Sequence, residues 1–260
     1  MSTASIALPT RARARARIRV LRRRFVVFML LAVALFALYM LWFRDSSLVA
    51  VKSVKVEGTG SGAVERRLDK ALSEAGQGMT TLDVNQGALD DAARPFPLVQ
   101  SVSADPSFPS GLTVRVAERR RVGLIGSGSS TVAVAGDGTI LRGLPAEHLQ
   151  LPALPLSAPP KGPRLSGPML EQAQVLGAAP PALLRYVDSS FNSDSGVGVN
   201  LTGGVELRFG DATHAVEKWH AAAAVLSDPQ LGPLDYVDLS FPGRPAVGGV
   251  GHSPPPVSTG

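Results

Sequence analysis

The sequence contains no cysteine, four histidines and few aromatic residues, 5% of its 260. Without thiols there is no disulfide framework, no Cys-ligated zinc or iron–sulfur site and no thiol nucleophile. The histidines are His148, His214, His220 and His252. No H-E-x-x-H occurs, and His214 and His220 are spaced wrongly for two ligands on one helix face. A G-x-S-x-G elbow is missing, as are the motifs that would accompany a penicillin-binding S-x-x-K. The carboxylates Asp90-Asp91, Glu118, Asp235 and Asp238 show no pairing beyond that of a solvated surface. The sequence thus offers no catalytic constellation, no metal site and no cofactor site. Gly58-Thr59-Gly60-Ser61-Gly62-Ala63 does match the dinucleotide pattern G-x-G-x-x-A, with Asp83 twenty residues on. The strand before it carries Lys52 and Lys55, however, and no second βαβ unit follows, so it reads as a strand–helix connector. Gly126-Ser127-Gly128-Ser129-Ser130 lacks the lysine of a phosphate-binding loop and reads as a surface turn.

Charge of one sign is missing from the first 24 residues. They hold eight arginines and no acid, whereas the rest of the chain carries 18 basic and 21 acidic side chains. The pI near 10 therefore reflects a short arm, and the body has no electrostatic footprint for nucleic acid. Residues 25–43, FVVFMLLAVALFALYMLWF, contain no charge, Gly or Pro. As a helix they would extend about 28 Å, close to the ~30 Å hydrocarbon core, with Tyr39 and Trp42 at interfacial depth. The arginine asymmetry puts the arm in the cytoplasm and residues 44–260 outside. Two readings compete: a mitochondrial presequence, which would be an amphipathic helix and not Arg alternating with Ala into a full span, and a cleavable signal peptide. Its small-x-small triplet, Ala32-Val33-Ala34, falls mid-run, and the run exceeds an ordinary h-region. The arm itself reads as a topology signal that also touches anionic lipid.

Beyond the span, residues 49–57 read as a strand, and Val64, Leu68, Ala71, Leu72 and Ala75 as one face of a helix. A short helix over 86–94 stops at Pro95 and Pro97, and strands are expected over 98–104 and 112–116. The order strand-helix-helix-strand-strand requires the helices to cover one face of a small mixed sheet. Short strands over 122–125, 131–135 and 139–141 follow. Residues 143–168, with seven prolines, read as loop pinned at Leu151-Pro152-Ala153-Leu154. Helices are expected over 169–178 and 213–227, a hairpin around Gly203-Gly204, and a strand over 234–241 with extension again over 246–250. The tail from Gly251, including His252, is expected to be disordered. Glu118-Arg119-Arg120-Arg121 reads as a solvated strand end, the alternative being an interdomain patch.

This order of parts resembles the bacterial cell-division family FtsQ/DivIB. The match is carried by Val54-Lys55-Val56-Glu57-Gly58, Val99-Gln100-Ser101-Val102-Ser103, and Pro109 with Leu112-Thr113-Val114-Arg115-Val116-Ala117-Glu118-Arg119. It continues through Asp137-Gly138, Leu151-Pro152-Ala153-Leu154, Lys218, Tyr236-Val237-Asp238-Leu239-Ser240 and Pro245-Ala246-Val247-Gly248. One departure is Arg121-Val122-Gly123, where the family commonly has Pro-Val-Ala. The resemblance implies an α+β protein with a single transmembrane helix, a POTRA-like βααββ module, and a mixed antiparallel β-rich domain with two or more helices. Its divisions are an arm (1–24), a span (25–43), the POTRA-like domain (48–119), the β domain (120–250) and a tail (251–260). It implies a scaffold of the division septum, not an enzyme, in the bacterial inner membrane as a single-pass type II protein. Its partners would be FtsB/DivIC-like and FtsL-like division proteins, other divisome membrane proteins and the bilayer, with neither nucleic acid nor a small-molecule substrate. Partner binding by strand addition would fall on Asp238, Leu239, Ser240, Phe241, Ala246, Val247 and Gly248, with Pro242 and Pro245 guarding the edge. Two other classes compete: a membrane-anchored cell-wall hydrolase, and a POTRA-bearing secretion or assembly component.

Overall fold

The computed structural model describes residues 24–37, 39, 49–146 and 149–256. The arm up to residue 23, part of the apolar run (38 and 40–43) and residues 257–260 of the tail lie outside the described residues. Residues 24–37 are helical, and Phe25, Phe28 and Phe36 on them are exposed. Among the described residues no helix is long and apolar enough to cross a membrane.

The first module follows the expected order: β1 (Ser53–Glu57), α1 (Ala63–Gln77), α2 (Gln86–Ala93), β2 (Val99–Ser107) and β3 (Gly111–Glu118). The sheet order is β1-β3-β2. β1 runs parallel to β3 from Ser53 opposite Gly111 to Glu57 opposite Arg115, and β2 returns antiparallel. Asn85 starts α2 because its side-chain oxygen accepts the otherwise orphaned Ala88 N–H at 3.1 Å. Leu68 and Leu72 of α1, Leu89 of α2 and Leu112 and Val114 of β3 share one core. The opposite sheet face is polar, crossed by the ion pairs Lys55–Glu57 and Arg115–Asp105.

The second domain contains β4 (Arg121–Ile125), β5 (Val132–Ala135), β6 (Ile140–Leu141), α3 (Pro168–Ala178), α4 (Pro181–Leu184), β7 (Val187–Ser193) and β8 (Gly196–Leu201), then β9 (Glu206–Gly210), α5 (Ala215–Leu226), β10 (Leu234–Asp238) and β11 (Ala246–His252). One sheet has the order β4-β5-β6 and the other β11-β10-β9-β8-β7. The expected pin at residues 151–154 joins them. Ala153 bridges Leu124 of β4 on one side and Ser189 of β7 on the other. Leu124 N–H donates to Pro152 O at 2.8 Å, Leu154 N–H returns to Leu124 O at 2.9 Å, and Ser190 N–H donates to Ala153 O at 3.1 Å. Gly123 explains the departure from Pro-Val-Ala: a Cβ there would sit 2.3 Å from Leu154 Cδ1. Any larger residue there would require the Leu154 side chain to shift.

The core of this domain centres on Trp219, whose indole N–H donates to Val175 O at 2.7 Å and whose ring meets Phe209 at 4.9 Å. Beside it Lys218 is buried, with its ammonium donating to Phe209 O at 2.8 Å and to Asp211 Oδ1 at 2.8 Å. The lysine, helped by the Thr213 hydroxyl, holds the Asp211 carboxyl down to about 2.

Two expectations are corrected. Residues 251–256 do not form a disordered tail: β11 runs to His252, Pro255 is buried, and Pro256 O accepts the Tyr186 hydroxyl at 3.0 Å. The arginine run is not a solvated strand end either. Arg119 is largely buried, donates to Pro97 O at 2.9 Å and to Val99 O, and pairs with Asp137 of the β5–β6 turn at 2.9 Å. Arg120 donates to Gly177 O and to Ala179 O at 2.9 Å, covering orphaned carbonyls at the end of α3. Leu98 of the first module is buried in one apolar cluster with Ala133, Ala135 and Leu141 of the second. The joint therefore combines an apolar contact with an arginine clamp. Burial alone would raise the Asp137 carboxyl, but Arg119 and the Thr139 N–H outweigh it and hold the carboxyl below its usual range.

Two outcomes follow from these contacts. Arg119→Ala strips partners from two part-buried carbonyls and from Asp137, and is expected to lower stability by about 1–2 kcal/mol in urea unfolding. The carboxyl of Asp211 is depressed in the folded state, so its stabilising contribution is complete above the unfolded value of 3.8 and fades as pH falls through about 2. Asp211→Asn should flatten the acid limb of the urea midpoint between pH 2 and 5.

Candidate partner-binding edge

A sheet ends in strands whose outer N–H and C=O groups have no ladder partner. At the β6 end those groups are met by the chain itself: Thr139 bridges Arg164, and Ile140 N–H donates to Pro163 O at 2.9 Å. In the first module the open side of β2 is guarded by side chains. Gln86 donates to Val102 O at 2.8 Å and Arg119 to Val99 O, along a cleft of about 720 Å³ between the domains. The β11 end differs. β11 pairs antiparallel with β10, Asp238 opposite Ala246, Val237 opposite Val247 and Tyr236 opposite Gly248, and among the described residues no strand lies beyond it.

The predicted contact residues divide between two places. Ala246, Val247 and Gly248 lie on the edge strand itself, with Val247 half exposed. Asp238 does not: β10 is paired with β9 on its other side, Asp238 opposite Arg208. Leu239 is buried and its N–H donates to Arg208 O at 2.7 Å. Ser240 is half-buried, and its N–H is taken by Asp238 Oδ1 at 2.9 Å. Phe241 is 76% exposed, in the connection between β10 and β11. Pro242 and Pro245 fall in the same connection, closed by Arg244 N–H donating to Phe241 O at 2.9 Å, so they turn the chain and do not cut a strand. The expected single edge from Asp238 to Gly248 is therefore a hairpin, of which only the second arm is open.

The second arm is held from one side. The Arg208 guanidinium lies 3.9 Å over the Tyr236 ring and pairs with Glu206 at 2.7 Å. Gly248 sits against that ring; a Cβ there would meet the Tyr236 hydroxyl at 2.6 Å. Further on, Asp235 Oδ1 accepts the Gly251 N–H at 3.0 Å and faces His252 Nδ1 at 3.0 Å. Gly249 has φ +83, and a Cβ there would be 2.0 Å from Asp235 Oδ2.

No family model matches the chain. It is 29% identical over 231 residues to a cell division protein FtsQ of Streptomyces venezuelae, a match covering 86% of this chain and 81% of that protein. This match supports the resemblance to the FtsQ/DivIB family. It is also 28% identical over 109 residues to a cell division protein FtsQ of Anaeromyxobacter sp. (strain K), covering 42% of this chain and 36% of that one. These names support a role in cell division.

Sequence patterning missed the continuation of the edge through Gly251 and His252 and its anchors Arg208, Tyr236 and Asp235. Three glycines in the seven residues of β11 hide its strand character. The pairing Asp235–His252 spans 17 positions, and no local pattern marks it. The dinucleotide-like loop is a connector: the Glu118 carboxylate accepts the Gly60 N–H at 3.3 Å, occupying with negative charge the place a phosphate would need. Gly249→Ala should detach the far half of β11. Limited proteolysis is expected to cut within residues 246–252 several-fold faster, with the core of the domain intact.

Proposed function

We propose that this chain is an FtsQ/DivIB-like bitopic, non-enzymatic scaffold of the bacterial divisome. It is anchored by residues 25–43 as a single-pass type II protein, with its POTRA-like and β domains outside. It recruits FtsB/DivIC-like and FtsL-like partners and so helps control septal peptidoglycan synthesis. The observation that carries the recruitment step is the open outer side of β11.

The mechanism is main-chain completion. A partner segment laid along β11 supplies N–H and C=O groups to those left unpaired, which gives affinity without demanding a particular sequence. Selectivity comes from the side chains that border the edge. Val247, opposite the buried Val237, and the exposed Val250 offer apolar contact. Tyr236 and Arg208 add an aromatic and cationic platform beside Gly248. Among the described residues no segment covers this edge as residues 163–165 cover β6, and over Ala246–Gly248 no side chain caps it as Gln86 and Arg119 cap β2. The family names support the divisional context.

The test is Val247→Asp in the full chain. Val247 is half exposed, so the fold tolerates the change, while a buried carboxylate in a joined sheet does not. Co-purification with an FtsB-like partner is expected to fall at least about tenfold, with an unchanged thermal transition. Unchanged capture by the partner would remove β11 from the interface.

A further inference from the structure

Apart from the N-terminal helix, few large apolar side chains stand exposed, and two of them share one pole of the first module. Leu82 is 54% and Phe108 71% exposed. Phe108 lies in the turn between β2 and β3. Leu82 projects from a tight turn closed by Asp83 N–H donating to Thr80 O at 3.1 Å. The two turns are tied together: the Thr81 hydroxyl donates to Pro109 O at 3.1 Å. They are also tied to the start of the module. Thr81 N–H donates to Val49 O at 2.8 Å, Val51 N–H to Met79 O at 3.0 Å, and Lys52 N–H to Ser110 O at 2.8 Å.

Strand direction fixes which pole this is. β1 starts at Ser53 opposite Gly111, so the chain comes into the module beside the β2–β3 turn. It leaves for the second domain at the other end of β3, eight residues away. That separation is about 25 Å at the ordinary strand rise. Leu82 and Phe108 are thus at the end where the chain enters the module. Five residues separate Phe43, the end of the N-terminal apolar run, from Val49. Fully extended, the chain from Phe43 to Val49 reaches about 20 Å. Lys52 and Asp83 also stand exposed at this pole with opposite charges, so its contact with a surface rests on the apolar tips.

We propose that Leu82 and Phe108 insert into the headgroup region of the bilayer and seat this pole of the first module on the membrane. The proposal rests on residues 25–43 spanning that bilayer. Two apolar tips and the span make three attachment points, which stop the module from swinging on its short tether. The height and tilt at which β11 is presented are then set by the module, not by a flexible linker.

The chain has no cysteine, so single-cysteine variants of the full-length protein need no background removal. Leu82→Cys, Phe108→Cys, Leu35→Cys and Ser129→Cys are labelled with a small environment-sensitive fluorophore in phosphatidylcholine proteoliposomes. Nitroxide lipids then quench from headgroup or acyl-chain depth. Labels at 82 and 108 should be quenched by headgroup nitroxide at least about threefold more than the label at 129. The label at 35 should respond to acyl-chain nitroxide. Adding Leu82→Ser should reduce quenching at position 108. If the label at 35 is quenched while those at 82 and 108 match that at 129, the span stands and the membrane seat is wrong. If the label at 35 is not quenched either, the span itself is wrong and the seat falls with it. Labels at 82 and 108 that are blue-shifted but not quenched mean that protein, not lipid, covers them, and this too overturns the proposal.

Discussion

The row of main-chain groups on the outer side of β11 is the constraint around which this molecule is arranged. A folded chain satisfies its buried backbone polar groups internally, and a sheet can do so everywhere except at its margins. Here one margin of the joined sheet is closed by residues 163–165 and the other is left to β11. β11 is poorly suited to stand alone. Its three glycines have high chain entropy and no side chains to pack, and its docking depends on Tyr236 and Asp235 from the neighbouring strand. A strand secured on one side only, and weakly specified by its own sequence, is ready to accept a second neighbour.

The remainder of the structure holds that strand in place. β10 is paired to β9, and β9 is fixed from behind by Phe209 against Trp219 and by Lys218 reaching Phe209 O. The sheet continues through β8 and β7 to the single-residue stitch at Ala153, and from there to β4. β4 begins two residues after Arg119, which clamps the first module to the second. An unbroken path of main-chain pairing and buried contact thus runs from the first module to the edge. The edge is displayed by a body whose parts have few ways to move against one another, which would lower the entropy lost in the proposed strand addition.

Much of this was legible in the sequence because it rests on local chemistry. The βααββ order follows from periodicity and from Pro95 and Pro97. The turn at Asp137-Gly138, the hairpin around Gly203-Gly204 and the pin at Leu151-Pro152-Ala153-Leu154 follow from turn residues. What escaped depends on contacts distant in sequence. β7 was hidden because its inward position Ser190 is polar, and its hydroxyl is buried against Gln172 Oε1 at 2.8 Å, a partner 18 residues away. Arg119 looked solvated because arginine ordinarily is; its partners Pro97, Val99 and Asp137 are assembled only by the fold. His252 looked loose for the same reason. The open edge was legible as a region, through Ala246, Val247 and Gly248, but not in its division into a buried arm ending at Leu239 and an open one.

Amide hydrogen exchange of the full chain, with and without an FtsB-like partner, tests the central claim most directly. Amides along residues 246–252 that point away from β10 should exchange readily in the free protein and become protected by orders of magnitude in the complex, while those facing β10 change little. Partner binding that leaves residues 246–252 exchanging as before, with new protection appearing along β2 or elsewhere, would contradict the account.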